Sequence, residues 1–198
     1  MARPRQFDED DVLIAARQRF TETGYHGTSV DDLSRATGLS KGSLYGAFRD
    51  KQALFHRVLD DYCAVSDEGA AARVEGPPEQ ALERLQNWLL APLGDVDRRG
   101  CLLARATAEL AWEDDAVAAR SLAAYEVLLD SCRRLVEQAQ QVGLVDPTAD
   151  AQALGGFILA THRGLEALAK AGMDAEVMRR IACAAVDSIT QGSASGSA

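Results

Sequence analysis

Apolar residues along this chain recur at spacings of three and four, the period of helices with one buried face. Val12, Ala16 and Phe20 form such a stripe in a first helix predicted from Asp8 to Thr23. Asp8 caps it, Phe7 staples against Val12, and Gly24 ends it. A second helix follows a cap at Thr28 or Ser29, with Val30, Leu33 and Ala36 facing inward. Gly38-Leu39-Ser40 is a tight turn, and Ser40 caps a short third helix that runs to Phe48. Asp50 caps a long fourth helix from Lys51 to about Val74, and Gly76-Pro77-Pro78 breaks the chain. Further helices are predicted at Pro78–Leu90, Cys101–Ala111, Asp115–Val142, Ala149–Ala171 and Asp174–Ile189, with a polar loop between Pro92 and Gly100. The stripe of the long helix at 115–142 reads Ala118, Leu122, Tyr125, Leu129, Cys132, Val136 and Ala139. The Gly/Ser/Ala stretch 191–198 is expected to be a disordered tail.

Composition agrees with an all-α fold. Ala and Leu are abundant, and only 6% of the 198 residues are aromatic. No run approaches the roughly 20 apolar residues of a membrane span, and the start lacks a signal-peptide pattern, so a cytoplasmic protein is expected. Cys63, Cys101, Cys132 and Cys183 lie far apart without zinc spacing and are expected as free thiols. The net charge of −9 argues at first against nucleic acid, but it is unevenly distributed. Residues 1–60 hold 9 basic and 9 acidic side chains, and the whole acidic excess lies beyond them. A neutral head can bind DNA through a basic face, while an acidic body is held away from phosphate.

Two short helices joined by a glycine-containing turn are a helix-turn-helix, whose second helix enters the major groove. Here that helix presents Lys41, Gly42, Ser43 and Tyr45. Lys41 suits phosphate or guanine, Ser43 a base or phosphate, and Gly42 permits close backbone approach. Tyr45 offers a ring to a thymine methyl and a hydroxyl to phosphate. Leu39, Leu44 and Phe48 are read as core. Lys51, at the start of the fourth helix, is placed to hold a phosphate with the helix N–H groups.

The segment resembles the DNA-binding head of the TetR family of bacterial repressors. The resemblance rests on Gly24-Tyr25, Thr28-Ser29-Val30, the run from Ala36 to Tyr45, Phe48, Lys51 and Ala53-Leu54-Phe55, all in order and spacing. The chain departs from the pattern at Gly46 and Ala47, where members often carry bulky side chains, so operator preference cannot be copied from a relative. The implied division is a helix-turn-helix domain at 1–50, a helical ligand-binding and dimerisation domain at 51–190 and the tail at 191–198. Candidate DNA contacts are Thr28, Ser29, Thr37, Ser40, Lys41, Gly42, Ser43, Tyr45 and Lys51.

The resemblance also implies pairing of the last two helices with those of a second copy. Ala153, Gly156, Leu159, Ala160 and Gly164 are small or apolar residues suited to such a two-fold interface. The ligand site is implied among the fourth to eighth helices, with Trp88, Cys101, Arg105, Trp112, Tyr125, Phe157 and His162 as candidates and ordinary core packing as the alternative for each. Cys101 follows Arg98, Arg99 and Gly100 at a helix start, with Arg105 one turn on, a setting that favours a thiolate. His56, Asp60 and Cys63 share one helix face, but three such residues on one helix rarely converge on an ion, so no metal is expected. No GxSxG, HExxH or phosphate-loop motif occurs, which argues against an enzyme. The function implied is a repressor that binds a two-fold operator as a dimer and is released by a small-molecule effector, with no cofactor. The alternatives are an activator of the same fold, or a small-molecule-binding helical protein without a regulatory role.

Overall fold

The computed structural model describes residues 7–94 and 100–191, and these are all helix and turn. In order the helices are α1 (Glu9–Thr23), α2 (Val30–Thr37), α3 (Lys41–Phe48), α4 (Lys51–Val74), α5 (Ala81–Leu90), α6 (Leu102–Leu110), α7 (Asp115–Gln141), α8 (Ala151–Ala171) and α9 (Ala175–Gln191). Two 3-10 turns, Pro78–Gln80 and Ala91–Gly94, flank α5, and Pro92 is buried in the second rather than lying in a polar loop. The rest of the expected loop, with Arg98 and Arg99, and the expected tail at 192–198 lie outside the described residues.

The chain forms two compact units. The first comprises residues up to Val65 together with Cys101–Leu122, so α6 and the start of α7 belong with the three N-terminal helices. Its centre is aromatic. The Phe20 and Phe55 rings meet edge to face at 5.0 Å, and Tyr25 lies 5.1 Å from Phe55. Val12, Ala16, Leu33, Leu44, Phe48 and Leu59 close around them. Asp8 caps α1 as expected, accepting from the Asp10 amide at 2.9 Å. Ala36 is exposed, which leaves Leu33 as the buried residue of α2.

The second unit comprises 66–100 and 123–198, built from the end of α4, α5, the rest of α7, α8 and α9. Leu85, Leu89, Leu135, Ile158, Leu165, Ala182 and Ile189 fill it. Gly155 is the tightest helix contact. A Cβ there would stand 2.7 Å from the Arg133 amide nitrogen and 3.0 Å from Arg133 Cα, so α8 crosses α7 backbone to backbone. Asp150 caps α8 by accepting from the Gln152 and Ala153 amides, and Gly172 ends it in the left-handed conformation, φ 84°.

In the first part of α7 the inward face differs from the sequence expectation by one position, with Val117, Ser121, Ala124, Leu128 and Ser131 buried, whereas Leu122 is exposed and Ala118, Tyr125 and Leu129 are half-buried. In the last part Cys132, Val136 and Ala139 are buried as expected. Two serines on the inward face interrupt its apolar periodicity, and the neighbouring row, richer in large apolar residues, reads as the stripe instead. The Ser131 hydroxyl is accommodated because it donates to the Ala70 carbonyl at 3.0 Å.

Candidate nucleic-acid interface

Three local devices build the helix-turn-helix. At the start of α2, Ser29 Oγ accepts from the Asp32 amide at 3.1 Å while Asp32 Oδ2 accepts from the Ser29 amide at 2.9 Å, a complete capping box. At its end Gly38 takes φ 70°, a conformation that favours glycine. Thr37 Oγ1 donates to the Leu33 carbonyl at 2.8 Å and accepts from the Leu39 amide at 3.3 Å, which closes the turn. Ser40 then caps α3 through the Ser43 amide at 3.1 Å. Leu33 and Leu44 are buried, so the outer side of α3 is fixed.

That outer side carries Lys41, Gly42, Ser43, Tyr45 and Gly46, all exposed, with Tyr45 46% exposed. Lys41 pairs with Asp31 at 2.7 Å, a hydrogen bond that raises the pKa of the ammonium. An exposed pair of this kind is screened by water, contributes little, and gives way easily to a phosphate.

Two other expected contacts are placed inside the head. Thr28 is 1% exposed, and its hydroxyl donates to the Gly24 carbonyl and lies 2.8 Å from Thr23 Oγ1. It closes the loop before α2 and presents no surface to a base. Lys51 directs its ammonium to the Tyr25 and Thr28 carbonyls, 3.0 Å from each, with Nζ 4.0 Å from the Tyr25 ring centroid. Partial burial lowers its pKa. As placed, Lys51 braces the loop that carries the α2 cap.

Helix α6 is fastened to the same loop. Glu109 Oε2 accepts from the Tyr25 amide at 2.7 Å, and its Oε1 meets Arg105 Nε at 3.0 Å. Arg105 NH1 donates to the Thr21 and Glu22 carbonyls at 3.2 and 3.3 Å, satisfying the open end of α1. A Cβ on Gly24, φ 77°, would overlap the Glu109 carboxylate. Sequence reading missed Glu109 entirely and gave Arg105 to a ligand, because neither partner is near in sequence.

Two family models match this chain, the bacterial regulatory proteins of the tetR family over residues 12–58 and the tetracyclin repressor-like C-terminal domain over residues 80–185. The chain belongs to the TetR family. Among TetR-family relatives, the transcriptional repressor ComR of Escherichia coli K12 is 28% identical over 184 residues, covering 91% of this chain and 88% of its own. The repressor DhaR of Mycobacterium sp. GP1 is 27% identical over 147 residues, 74% of each chain. A TetR-family regulator from Agrobacterium tumefaciens superposes with a TM-score of 0.79 at 24% identity, covering 91% of this chain and 96% of that one. The TetR-family regulator CifR, a cysteine-substituted form solved with a 26-bp double-strand operator DNA, gives 0.79 at 25% identity, covering 95% and 100%.

The residues expected to form a TetR-type ligand site separate into three groups. Cys101, Arg105 and Trp112 lie in the first unit. Cys101 precedes α6, is half-buried and takes a hydrogen bond from the Tyr62 hydroxyl at 3.3 Å. Arg105 directs its guanidinium to Glu109 and the end of α1, as above. Trp112 is 79% exposed, its indole N–H donating to the Glu109 carbonyl at 3.0 Å. Phe157, 44% exposed, shares the outer side of α8 with Ala153, Ala160 and Gly164, while Gly156 and Leu159 are half-buried. Trp88, Tyr125 and His162 do come together in the second unit, with Arg73 and Arg163, which the sequence reading passed over. His162 stacks on Trp88 at 3.9 Å, Arg73 lies over the Trp88 ring at 4.6 Å, and Arg163 lies 6.0 Å from the Tyr125 ring centroid. Arg163 NH2 donates to His162 Nδ1 at 2.7 Å, and its NH1 pairs with Glu166 at 2.9 Å.

No group of three His, Cys, Asp or Glu among the described residues could hold a metal ion. His56 pairs with Asp114 at 2.7 Å, Asp60 pairs with Arg120 at 3.5 Å, and Cys63 is buried. No helix among the described residues is long and apolar enough to cross a membrane.

The His162 cluster makes stability depend on pH. Burial, reinforced by Arg163 and Arg73, holds the His162 pKa down at about 3. The unfolded chain takes up this proton near pH 6.5 and the folded one does not, so stability attributable to His162 is complete above about 6.5 and falls as pH drops toward 3. The expected loss across that window is on the order of 3–5 kcal/mol. Urea unfolding at pH 7.5, 6 and 5 should show a steeper decline for the wild type than for His162→Asn, which keeps an acceptor for Arg163. Equal slopes would contradict the assignment.

Proposed function

We propose that this TetR-family regulator is an effector-released repressor that binds a two-fold operator as a dimer. The observation that carries the reading is the outer side of α3, where Lys41, Ser43 and Tyr45 project from a helix fixed by caps at both ends of the turn. The names of ComR and DhaR as repressors, and the CifR complex with operator DNA, support it. Ser29, Ser40 and Thr37 set the geometry of the turn, with the Ser29 and Ser40 residues at helix N-termini where backbone amides suit phosphate. In this reading Thr28 and Lys51 act on DNA indirectly, by holding the loop that positions α2. The head is the helix-turn-helix with its α6 buttress, and the second unit houses the effector. Helices α4 and α7 run through both units, so a change in the second is carried covalently into the first. No catalytic step is assigned, and the site of action is the bacterial cytoplasm.

The dimer is assigned to the outer side of α8, where Ala153, Phe157, Ala160 and Gly164 are exposed and leave a row of small residues around one aromatic. A two-fold operator requires two α3 helices about 34–36 Å apart, one DNA turn, which is why the reading needs a dimer. Ala160 is exposed, so Ala160→Arg should fold normally. It is expected to sediment as a monomer at micromolar concentration and to bind the DNA upstream of its own gene at least about a hundredfold more weakly, a loss of about 2.7 kcal/mol. A dimeric Ala160→Arg protein with full affinity would refute the interface. Wild-type protein that selects no DNA from a random library would refute the function.

A further inference from the structure

Arg73 is held in the second unit without an acid to neutralise it. Its one hydrogen bond among the described residues is long, 3.4 Å from NH1 to Ser131 Oγ, and that hydroxyl already serves the Ala70 carbonyl. Its contact with the Trp88 ring uses the charge of the guanidinium and none of its N–H donors. Among the described residues no carboxylate pairs with it. Glu166 pairs with Arg163, 2.9 Å away. Burial pushes the Cys132 thiol up to about 12, so it stays neutral between the two arginines, and His162 is neutral for the reason given above. A partly buried cation without a counter-ion is costly, and burial with Arg163 nearby displaces its pKa downward. The fork of N–H donors left on Arg73 matches a planar carboxylate.

We propose that Arg73 anchors the carboxylate of a small organic acid with an apolar body, seated beside Trp88. Its identification as the effector rests on the proposed function. The sequence expectation of Trp88, Tyr125 and His162 is extended by the residue that chooses the ligand's charge.

The test is thermal unfolding of the whole protein with formate, benzoate and octanoate, each beside its neutral amide, at millimolar concentration. At least one acid is expected to raise the Tm saturably, with an apparent affinity about tenfold or more above that of its amide. Arg73→Gln should abolish that difference while unfolding, without additive, no lower than the wild type, since an uncompensated charge has been removed. Three results would overturn the proposal: no acid better than its amide, an acid response that survives in Arg73→Gln, or an additive-free Arg73→Gln protein that unfolds well below the wild type, which would make Arg73 a structural brace. Operator binding is measured separately. An acid that binds through Arg73 and leaves the DNA complex intact would refute the effector role while the anion site stands, and so separates the two failures.

Discussion

A Gly42→Asp protein is expected to lose at least about a hundredfold in operator affinity, about 2.7 kcal/mol, and to unfold at the wild-type temperature. Gly42 is the second residue of α3, on the side proposed to face DNA, and a Cβ there would meet nothing closer than Ser40 Oγ at 3.9 Å. Space for the side chain is therefore available, and a carboxylate in the first turn suits the helix dipole. In the complex it would face phosphates, and a dimer would pay the repulsion twice. Fluorescence anisotropy against operator and a thermal melt separate the two effects. Normal DNA binding would remove α3 from the groove, and a collapsed melting temperature would show that position 42 is packed.

The largest effect on stability is expected at Gly155. Gly155→Val should cost about 3 kcal/mol or more, because the added atoms meet Arg133 N and Cα and the Cys132 carbonyl carbon, none of which can rotate aside. At this chain length that corresponds to a fall of about 6–12 °C in Tm at fixed protein concentration. Gly156→Ala is the internal comparison. Its Cβ would meet only Leu129 Cδ1 at 3.8 Å, and the gain in helix propensity should leave the Tm level or slightly higher. Similar melting for both variants would mean that α7 and α8 are not in backbone contact.

The helix-turn-helix was legible because its signals are local. Ser29 and Asp32, Gly38, and Ser40 mark helix ends through bonds made within three residues, and the Leu33–Leu44 spacing marks the side that turns inward. Features that depend on distant partners were not legible. Thr28 and Lys51 look like polar surface residues until the loop between Gly24 and Thr28 brings carbonyls to them. Glu109 lies 84 positions from the amide it holds. Ser121 and Ser131 hid the inward row of α7, since a serine that turns inward has no sequence mark. The resemblance grouped Trp88, Tyr125 and His162 with Trp112 and Phe157 as residues of the body helices, although Trp112 and Phe157 are exposed. Arg73 and Arg163 went unnoticed because charged residues on helices are usually solvated.

The glycines at 42 and 46 also bear on how much sequence the protein can read. With Gly46 and the half-buried Ala47 contributing no reach, Lys41, Ser43 and Tyr45 are the long or polar side chains of α3 available to each half-site. A good bidentate contact discriminates by about 1–3 kcal/mol, while a genome offers about 10⁶–10⁹ competing positions. Three side chains, of which Ser43 and Tyr45 cannot form an arginine-like fork, specify too few letters to single out one address. If the proposed contacts are the ones made, the remaining selectivity is expected from the mechanics of the DNA, in steps that bend or narrow cheaply where two heads must be served at once. A regulator of that kind would recognise the stiffness of its operator as much as its spelling, and base changes that preserve that stiffness would be tolerated.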